Sequence, residues 1–579
     1  MLEILKKINF LITKGQRKRL IVLVFLLFVG MILEIFGLGI LIPILSLLLN
    51  PENIDNEFSL IFIKDFLPEV SYQTFVLIFL SFILTVYLVK SLFLVYLNHK
   101  QNRFLANLTA EISNKLFKNY LGQSYNFHLN RNSSDLIKNI QVETNFLYLY
   151  LLYLITICIE SGFVLAVLAT LIYIEPLGAI SIGVFYGFLS VVFLQFTKRK
   201  LKRWGETREK LDNSLSKISL EGLGGIKEIL ILGKSTFFID QFSEKSFAKA
   251  RTNSNQATIS QIPRFYLELI SVAALVSFIF IQIIQEKDTA NLFTILGVFV
   301  AATFRMIPSL NRIIGAFQSI KFYKPSVDVI FNEINNLKYS HNITLDNDTK
   351  FEFEKSIKIK DLSFNYDESS NILNEVNLEF KKGQTIGIIG ESGSGKSTLI
   401  DLIIGLHHPI SGEIIIDGKP RRQLSEFWRR KIGYVSQSIY LTDSSIKNNI
   451  AFGISNDKID DDRIIEVLKK VKLETFIKLL KKGFNTRVGE RGVQISGGQK
   501  QRIGIARALY NDPEILIFDE ATSALDTETE KGIINSISEL KGDMTIIMIA
   551  HRLTTLRDCD IIYKIEDGKI SQNKSSKNE

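Results

Sequence analysis

The run Gly390-Glu391-Ser392-Gly393-Ser394-Gly395-Lys396-Ser397-Thr398 combines residue types suited to holding phosphates. Glycines let successive backbone N–H groups curl round an anion, and a helix expected to begin near Thr398 adds the positive end of its dipole. In the spacing Gly-x4-Gly-Lys-Ser, Lys396 is placed to reach the β and γ phosphates of a nucleotide, and the Ser397 hydroxyl to ligate Mg²⁺. A second group supplies acid–base chemistry. Ile515-Leu516-Ile517-Phe518 reads as a short buried strand ending in Asp519-Glu520, two carboxylates at the C-terminal end of a parallel strand, where nucleotide sites lie. Asp519 suits Mg²⁺, and Glu520 suits polarising a water for attack on a phosphate. Ser496-Gly497-Gly498-Gln499 precedes a helix expected from Lys500 and offers another set of backbone donors to an anion. Gln437 follows the strand-like run Ile432 to Ser436, and His551 follows the run Thr545 to Ala550.

Together these motifs resemble the nucleotide-binding domain of the ATP-binding cassette transporter family, over roughly Ser356 to the C-terminus. The resemblance implies that Tyr366 stacks on adenine and that Gly390, Ser392, Gly393, Ser394, Gly395, Lys396, Ser397 and Thr398 cradle ATP. It implies a catalytic set of Glu520, His551 and Gln437, with His551 on the γ-phosphate, and Mg²⁺ held by Ser397, Gln437 and Asp519. Ser496, Gly497, Gly498 and Gln499 match the signature loop, which acts on the ATP of a partner subunit. Asp526, within Ser523-Ala524-Leu525-Asp526, matches the loop that communicates across the dimer. Glu490 matches an exporter-type loop near the coupling interface, and Ile495 departs from the leucine usual in the family. One phosphate loop and one signature loop per chain imply a half-transporter that works as a homodimer with two composite ATP sites.

The elements that position this chemistry fall into two classes. The chain has 579 residues, too long for one core, and is 46% hydrophobic with 42 phenylalanines concentrated in its first half. Apolar runs at about Leu20–Leu49, Thr74–Leu97, Phe146–Ile174, Leu177–Phe196, Tyr266–Ile284 and Leu292–Ile313 each approach or exceed the roughly 20 residues needed to cross the hydrocarbon of a bilayer. The expected fold is therefore an α-helical six-span transmembrane domain of the type I ABC exporter kind, followed by an α/β P-loop nucleotide-binding domain. Its expected limits are 1–335 for the membrane domain, 336–355 for a linker and 356–579 for the nucleotide-binding domain, with a polar, unstructured tail from Gln572. Lys6, Lys7, Lys14, Arg17, Lys18 and Arg19 precede the first run, and the loops Asn98–Glu143 and Lys198–Arg264 are rich in lysine. Both termini and the nucleotide-binding domain are thus expected in the cytoplasm of a multi-pass membrane protein, and the family resemblance implies the inner membrane of a bacterium. The first apolar run is too long for a cleavable signal peptide. Lys and Arg total 69 against 60 Asp and Glu. In a membrane protein that excess points to anionic lipid rather than nucleic acid. Two cysteines, Cys158 and Cys559, give neither a metal cluster nor a disulfide framework.

Between the first two spans, Phe58, Ile61, Phe62 and Phe66 have the spacing of an amphipathic helix lying on the outer membrane face. Tyr125–Ser133 and Lys227–Phe238 are the candidate crosswise segments within the two long loops. Charges inside hydrocarbon are costly and usually face protein or a wet cavity. Lys90, Arg264, Arg305 and Arg312 are such charges, and they are the candidate cavity for an anionic headgroup. Glu34 and Glu160 lie at membrane depth as well, and either neutralise these cations or hydrogen-bond between helices. Gln261-Ile262-Pro263-Arg264-Phe265-Tyr266-Leu267-Glu268 and the run Phe304 to Ile314 resemble the fifth and sixth spans of the PglK-type family of lipid-linked oligosaccharide flippases. That resemblance implies a polyprenyl-pyrophosphate-linked glycan as substrate, moved from the cytoplasmic to the periplasmic leaflet for protein glycosylation. An exporter of drugs, other lipids or peptides is the alternative.

Overall fold

The computed structural model describes residues 2–40, 72–174, 176–284, 289–337, 352–366, 372–520, 530, 532, 535, 542, 544–550 and 556–573. By its contacts the chain divides into two compact units, Met1–Gln123 with Phe127–Asn342, and Ser124–Asn126 with Ile343–Glu579.

The first unit is helical. A short α1 (Leu2–Leu11) precedes α2 (Lys14–Gly39), α3 (Tyr72–Leu121), α4 (Thr144–Ile174), α5 (Pro176–Gly224), α6 (Ser235–Ile284) and α7 (Thr289–Asn336). A helix satisfies its backbone polar groups within itself, which is what hydrocarbon demands of a crossing segment. Lys14–Gly37, Val76–Leu121 and Ser133–Ile172 contain windows long and apolar enough to cross, and only 17%, 11% and 28% of these windows are buried within the chain. Their outward apolar faces need lipid or another apolar surface. At about 1.5 Å per residue, the 50 residues of α3 and of α6 reach far beyond a roughly 30 Å hydrocarbon layer. The candidate crosswise segments contain short helices, Tyr125–Leu129 and Ile226–Ile231. The outer amphipathic segment lies outside the described residues, and so do residues 338–351 of the linker.

Helical spacing explains which faces of the long helices pack. Leu105, Leu108, Ile112 and Leu116 of α3 recur at three- and four-residue intervals, and they share one buried cluster with Leu147, Tyr150 and Leu151 of α4 and Val327, Ile330 and Ile334 of α7. Helices α5 and α7 approach so closely at Gly205 that a Cβ there would strike the Phe322 carbonyl. Beside this crossing lies a buried set of charges. Lys138 pairs with Glu143 at 3.3 Å and Glu209 at 3.2 Å, Arg208 lies 3.8 Å from both Glu143 and Asp212, and Lys249 pairs with Asp212 at 2.5 Å. Arg208 also donates to Ser326 Oγ at 2.7 Å and sits 3.8 Å from the centre of the Phe146 ring. Glu143 enters this cluster from a π-helical turn, Asn139–Glu143. Such a turn inserts one residue and rotates the side chains that follow.

The second unit is built on two sheets. The antiparallel one has the order β2 (Leu373–Lys381), β1 (Ser356–Phe364), β4 (Ser411–Ile416), β5 (Lys419–Pro420). The other runs β10 (Lys569–Asn573), β9 (Ile561–Glu566), β3 (Thr385–Gly390), β8 (Thr545–Ile549), β7 (Ile515–Asp519), β6 (Ile432–Val435), parallel from β9 to β6. Strands of a parallel sheet are covered on both faces, hence their continuous apolar runs. Ile515, Ile517, Ile547 and Ile549 enter one buried cluster, and Leu516, Phe518, Ile546 and Met548 enter the other. Helix α8 (Lys396–Ile404) buries Leu399, Ile400, Leu402 and Ile403 among residues of both sheets. The Trp428 indole N–H fixes the end of that helix by donating to the Ile403 carbonyl at 2.7 Å.

Three expectations need correction. The helix after the phosphate loop begins at Lys396 rather than near Thr398, because Gly395 caps it with φ +99°. The helix after the serine–glycine motif, α9 (Gly497–Tyr510), begins three residues before Lys500, because Ser496 is an effective N-cap. Gln572 and Asn573 are not a loose tail but pair with Tyr563 and Ile562 in β10.

Candidate nucleotide site

Strand β3 ends at Gly390 and α8 starts at Lys396, so the phosphate-loop residues form the turn between them. Gly393 and Gly395 have φ of +84° and +99°, a region that side-chain-bearing residues rarely adopt. At Gly390 a Cβ would meet the Ile565 carbonyl and, at 2.7 Å, Ser394 Oγ. The close packing there leaves no room for a side chain. The Lys396 ammonium donates to the Gly390 and Glu391 carbonyls at 3.0 and 2.8 Å, which folds it back over the loop. Ser392, Gly393, Ser394 and Gly395 complete the turn, and Ser394 Oγ is buried with no protein partner among the described residues. An orphaned polar atom in a concave loop is a fitting partner for a phosphate oxygen.

Asp519 ends β7 and Ser397 opens α8. The Ser397 hydroxyl donates to Asp519 Oδ1 at 3.2 Å, and the Tyr434 hydroxyl donates to Oδ2 at 3.2 Å. Burial pushes the Asp519 pKa up, while these two hydrogen bonds and nearby Lys396 pull it down and Glu520 pushes it up again. A divalent cation between Ser397 and Asp519 would remove the strain of burying this carboxylate, so the donor set fits Mg²⁺. Glu520 has φ +51°, and Gln437 Nε2 donates to its Oε2 at 2.7 Å. That left-handed backbone is uncommon for a side-chain-bearing residue and tends to persist where a site requires it. Tyr366 is exposed, and its hydroxyl lies 3.2 Å from Thr398 Oγ1. An aromatic face beside the phosphate loop can stack on a base.

Ser496, Gly497, Gly498 and Gln499 form the first turn of α9. Ser496 Oγ accepts from the Gln499 N–H at 3.3 Å, and Gln499 Oε1 accepts from the Ser496 N–H at 2.9 Å, a reciprocal cap. Glu490 opens the 3-10 turn Glu490–Gly492, in which Arg491 has φ +51°. His551 and Asp526 lie outside the described residues.

Sequence reasoning missed Tyr434, Asp401 and His407. Tyr434 sits on β6, beside Ile517 of β7. The Tyr at the third position of Ile432-Gly433-Tyr434-Val435 was the available signal. Burial, with Asp519 nearby, raises the Asp401 pKa to about 6. The His407 ring lies 5.2 and 5.3 Å from those of Phe364 and Tyr366, and so braces the exposed tyrosine.

The membrane cations have varied surroundings. Lys90 is buried, 3.3 Å from Glu34, with its ammonium over the Tyr87 ring. Arg312 pairs with Glu160 at 2.6 Å. Arg264 is exposed on α6, one residue after Pro263. Arg305 lies on α7, and its side chain is outside the described residues. Both carboxylates noted at membrane depth thus serve as partners of these cations.

Residues 373–523 match the family model described as ABC transporter. The heterocyst differentiation ATP-binding protein HepA of Nostoc sp. is 36% identical over 365 residues, covering 61% of this chain and 57% of that protein. The match therefore spans somewhat more than half of that relative's length. The ATP-dependent lipid A-core flippase of Haemophilus influenzae is 31% identical over 443 residues, 73% of this chain and 72% of the flippase. Among solved structures, a bacterial Atm1-family ABC exporter with ATP bound matches with a TM-score of 0.77 at 23% identity, covering 96% of this chain and 95% of that one. That likeness carries the fold.

Proposed function

Because the chain belongs to the ATP-binding cassette transporter family and has the exporter fold, we propose that it is an ATP-driven flippase for a polyprenyl-pyrophosphate-linked oligosaccharide. Two copies act together in the bacterial inner membrane, with both termini and the nucleotide unit in the cytoplasm, and the glycan moves to the periplasmic leaflet. The observation that carries the reading is the joining, in one chain, of membrane-crossing helices with the Ser397–Asp519 and Gln437–Glu520 pairs.

In this reading Ser397, Asp519 and Gln437 would hold Mg²⁺, which would supply charge neutralisation at the phosphates. Lys396 leaves the Gly390 and Glu391 carbonyls for the β and γ phosphates, and Tyr366 holds the adenine. Glu520, oriented by Gln437, accepts hydrogen-bonded water and draws its proton toward the carboxylate. His551 contributes on the γ-phosphate side. The Ser496 to Gln499 turn and Asp526 act across the homodimer on the partner's nucleotide.

For the substrate, Lys90, Arg264, Arg305 and Arg312 attract the pyrophosphate headgroup. The pairing of Lys90 with Glu34 and of Arg312 with Glu160 favours a second reading, an exporter of less anionic amphiphiles, because each pair carries no net charge. Reconstitution in proteoliposomes with labelled lipid-linked oligosaccharides, simple phospholipids and apolar drugs separates the two. The first reading expects ATP-dependent movement of the glycolipid alone. Movement of the uncharged compounds, with none of the glycolipid during active hydrolysis, would reject it.

A further inference from the structure

Helices α2 and α3 run antiparallel. Gln16 Nε2 donates to Glu111 Oε2 near one end of the pair, and Gly30 faces Leu97 and Leu94 further along. Between these two points the helices enclose a groove of about 490 Å³, within the range of sites that take small molecules. Its lining is divided by chemistry. Lys18 and Arg19 from α2 and Lys100 and Arg103 from α3 supply four cations, while Val22 and Phe104 are among the apolar residues between them. Glu111 is the sole acid among the described residues of the lining, and it is already engaged by Gln16. In the register set by the two contacts, Arg103 lies level with Val24, about five residues or roughly 7 Å along the axis from Arg19.

The groove covers the stretch in which the two helices pass from polar to apolar, α2 entering its apolar run at Leu20 and α3 leaving its own at Leu97, about ten residues or roughly 15 Å apart in this register. Lys18 and Arg19 directly precede the apolar run of α2, and Lys100 and Arg103 lie three and six residues beyond the end of that of α3. Long cationic side chains at such a border bring their charges to the phosphate layer while their stems line apolar surface. Val22, Val24 and Phe25 of α2 and Leu92, Val95 and Tyr96 of α3 are exposed apolar residues on the same two helices.

We propose that this groove binds one anionic diacyl phospholipid, its phosphodiester held between Arg19 and Arg103 with Lys18 and Lys100 beside them, and its acyl chains laid along the apolar faces of α2 and α3. Charge complementarity selects the occupant. A zwitterionic headgroup would bring its own cation against four like charges, and free phosphate would leave the apolar half of the groove uncovered. The site goes beyond the transport reading, since it concerns a lipid resident on the outside of the helices whatever the cargo.

The test is native mass spectrometry of the full-length, nucleotide-free protein in detergent, titrated with phosphatidylglycerol and with phosphatidylcholine of the same chains. The wild type is expected to retain phosphatidylglycerol at about 10-fold lower concentration. Arg19→Ala with Arg103→Ala should abolish that preference. Arg199→Ala with Lys200→Ala, which removes two exposed cations following another apolar run, should keep it within about twofold. Excess glycerol phosphate should not displace the lipid. Equal retention of the two lipids, equal loss in both double variants, or displacement by glycerol phosphate would overturn the proposal. If the first double variant is not recovered folded, the single Arg103→Gln variant reads the same loss of preference.

Discussion

At the end of β7 the buried carboxylate Asp519 is held by a serine that opens α8 and a tyrosine on the neighbouring strand. In the helical unit, Glu143 and Asp212 are held by Lys138, Arg208 and Lys249, drawn from the segment before α4 and from α5 and α6. Both arrangements keep charge out of water, but they stand to different ends. Asp519 is left with a pKa raised by burial, a condition that an arriving cation relieves. The helical cluster brings its own cations and is balanced in charge, although both Glu143 oxygens and Arg208 Nε and Nη1 accept or donate no hydrogen bond among the described residues. A site that must receive a ligand is built short of charge, whereas a joint between helices is built balanced.

The comparison breaks most readily at Glu520. Glu520→Gln should lower ATP turnover by about 1000-fold while nucleotide affinity stays within a few-fold, since the phosphate loop is untouched. Normal turnover in a phosphate-release assay would remove Glu520 from the chemistry. Next in size is Arg208→Ala, which leaves Glu143 to Lys138 alone and Asp212 to Lys249 alone and should destabilise the protein by about 3 kcal/mol. Thermal unfolding in detergent reads it. The double change Arg208→Met with Glu143→Gln should cost less than Arg208→Ala alone, and the reverse order would show that the cluster is not a balanced unit.

A smaller effect is expected at the neighbouring crossing. Gly205→Ala places a methyl group against the Phe322 carbonyl and should destabilise by about 2 kcal/mol through overpacking. An unchanged melting temperature would mean that α5 and α7 are free to part there. The smallest effect belongs to Asp401, whose carboxyl is raised to about 6 in the folded chain. Because the folded pKa exceeds the unfolded value, its contribution favours folding at low pH and is lost as pH rises through about 4 to 6. Asp401→Asn should therefore raise the melting temperature by about 1–2 °C at pH 7.5, with the gain shrinking as pH falls below 6. A gain that grows on acidification would contradict the assignment.

The nucleotide half was readable because its chemistry is contiguous. Gly390 to Thr398 is a single turn, and Asp519-Glu520 follows its strand without interruption. Continuous apolar strands likewise announced a parallel sheet. Tyr434 escaped notice because its role arises from strand order: β6 is distant from β3 in the chain yet lies beside β7. The membrane-crossing helices could be placed from apolar run length, although the runs say nothing of how far each helix extends beyond them. That Glu34 and Glu160 neutralise cations was one of two readings open in the sequence, and which cation each meets was not legible. Pairing between helices depends on their rotation, which charge spacing along one helix does not encode. The cluster round Arg208 was invisible for the same reason, and the π-helical turn that delivers Glu143 has no apolar periodicity to mark it.

The reciprocal cap at Ser496 has a directional consequence. Its oxygen is occupied as an acceptor by the Gln499 N–H, and a hydroxyl keeps its single proton for another acceptor. The next glycines add N–H groups at the same rim, so a visiting oxyanion would meet donors already aligned. Rearrangement of this turn need not precede docking, which leaves approach itself as the event to be controlled.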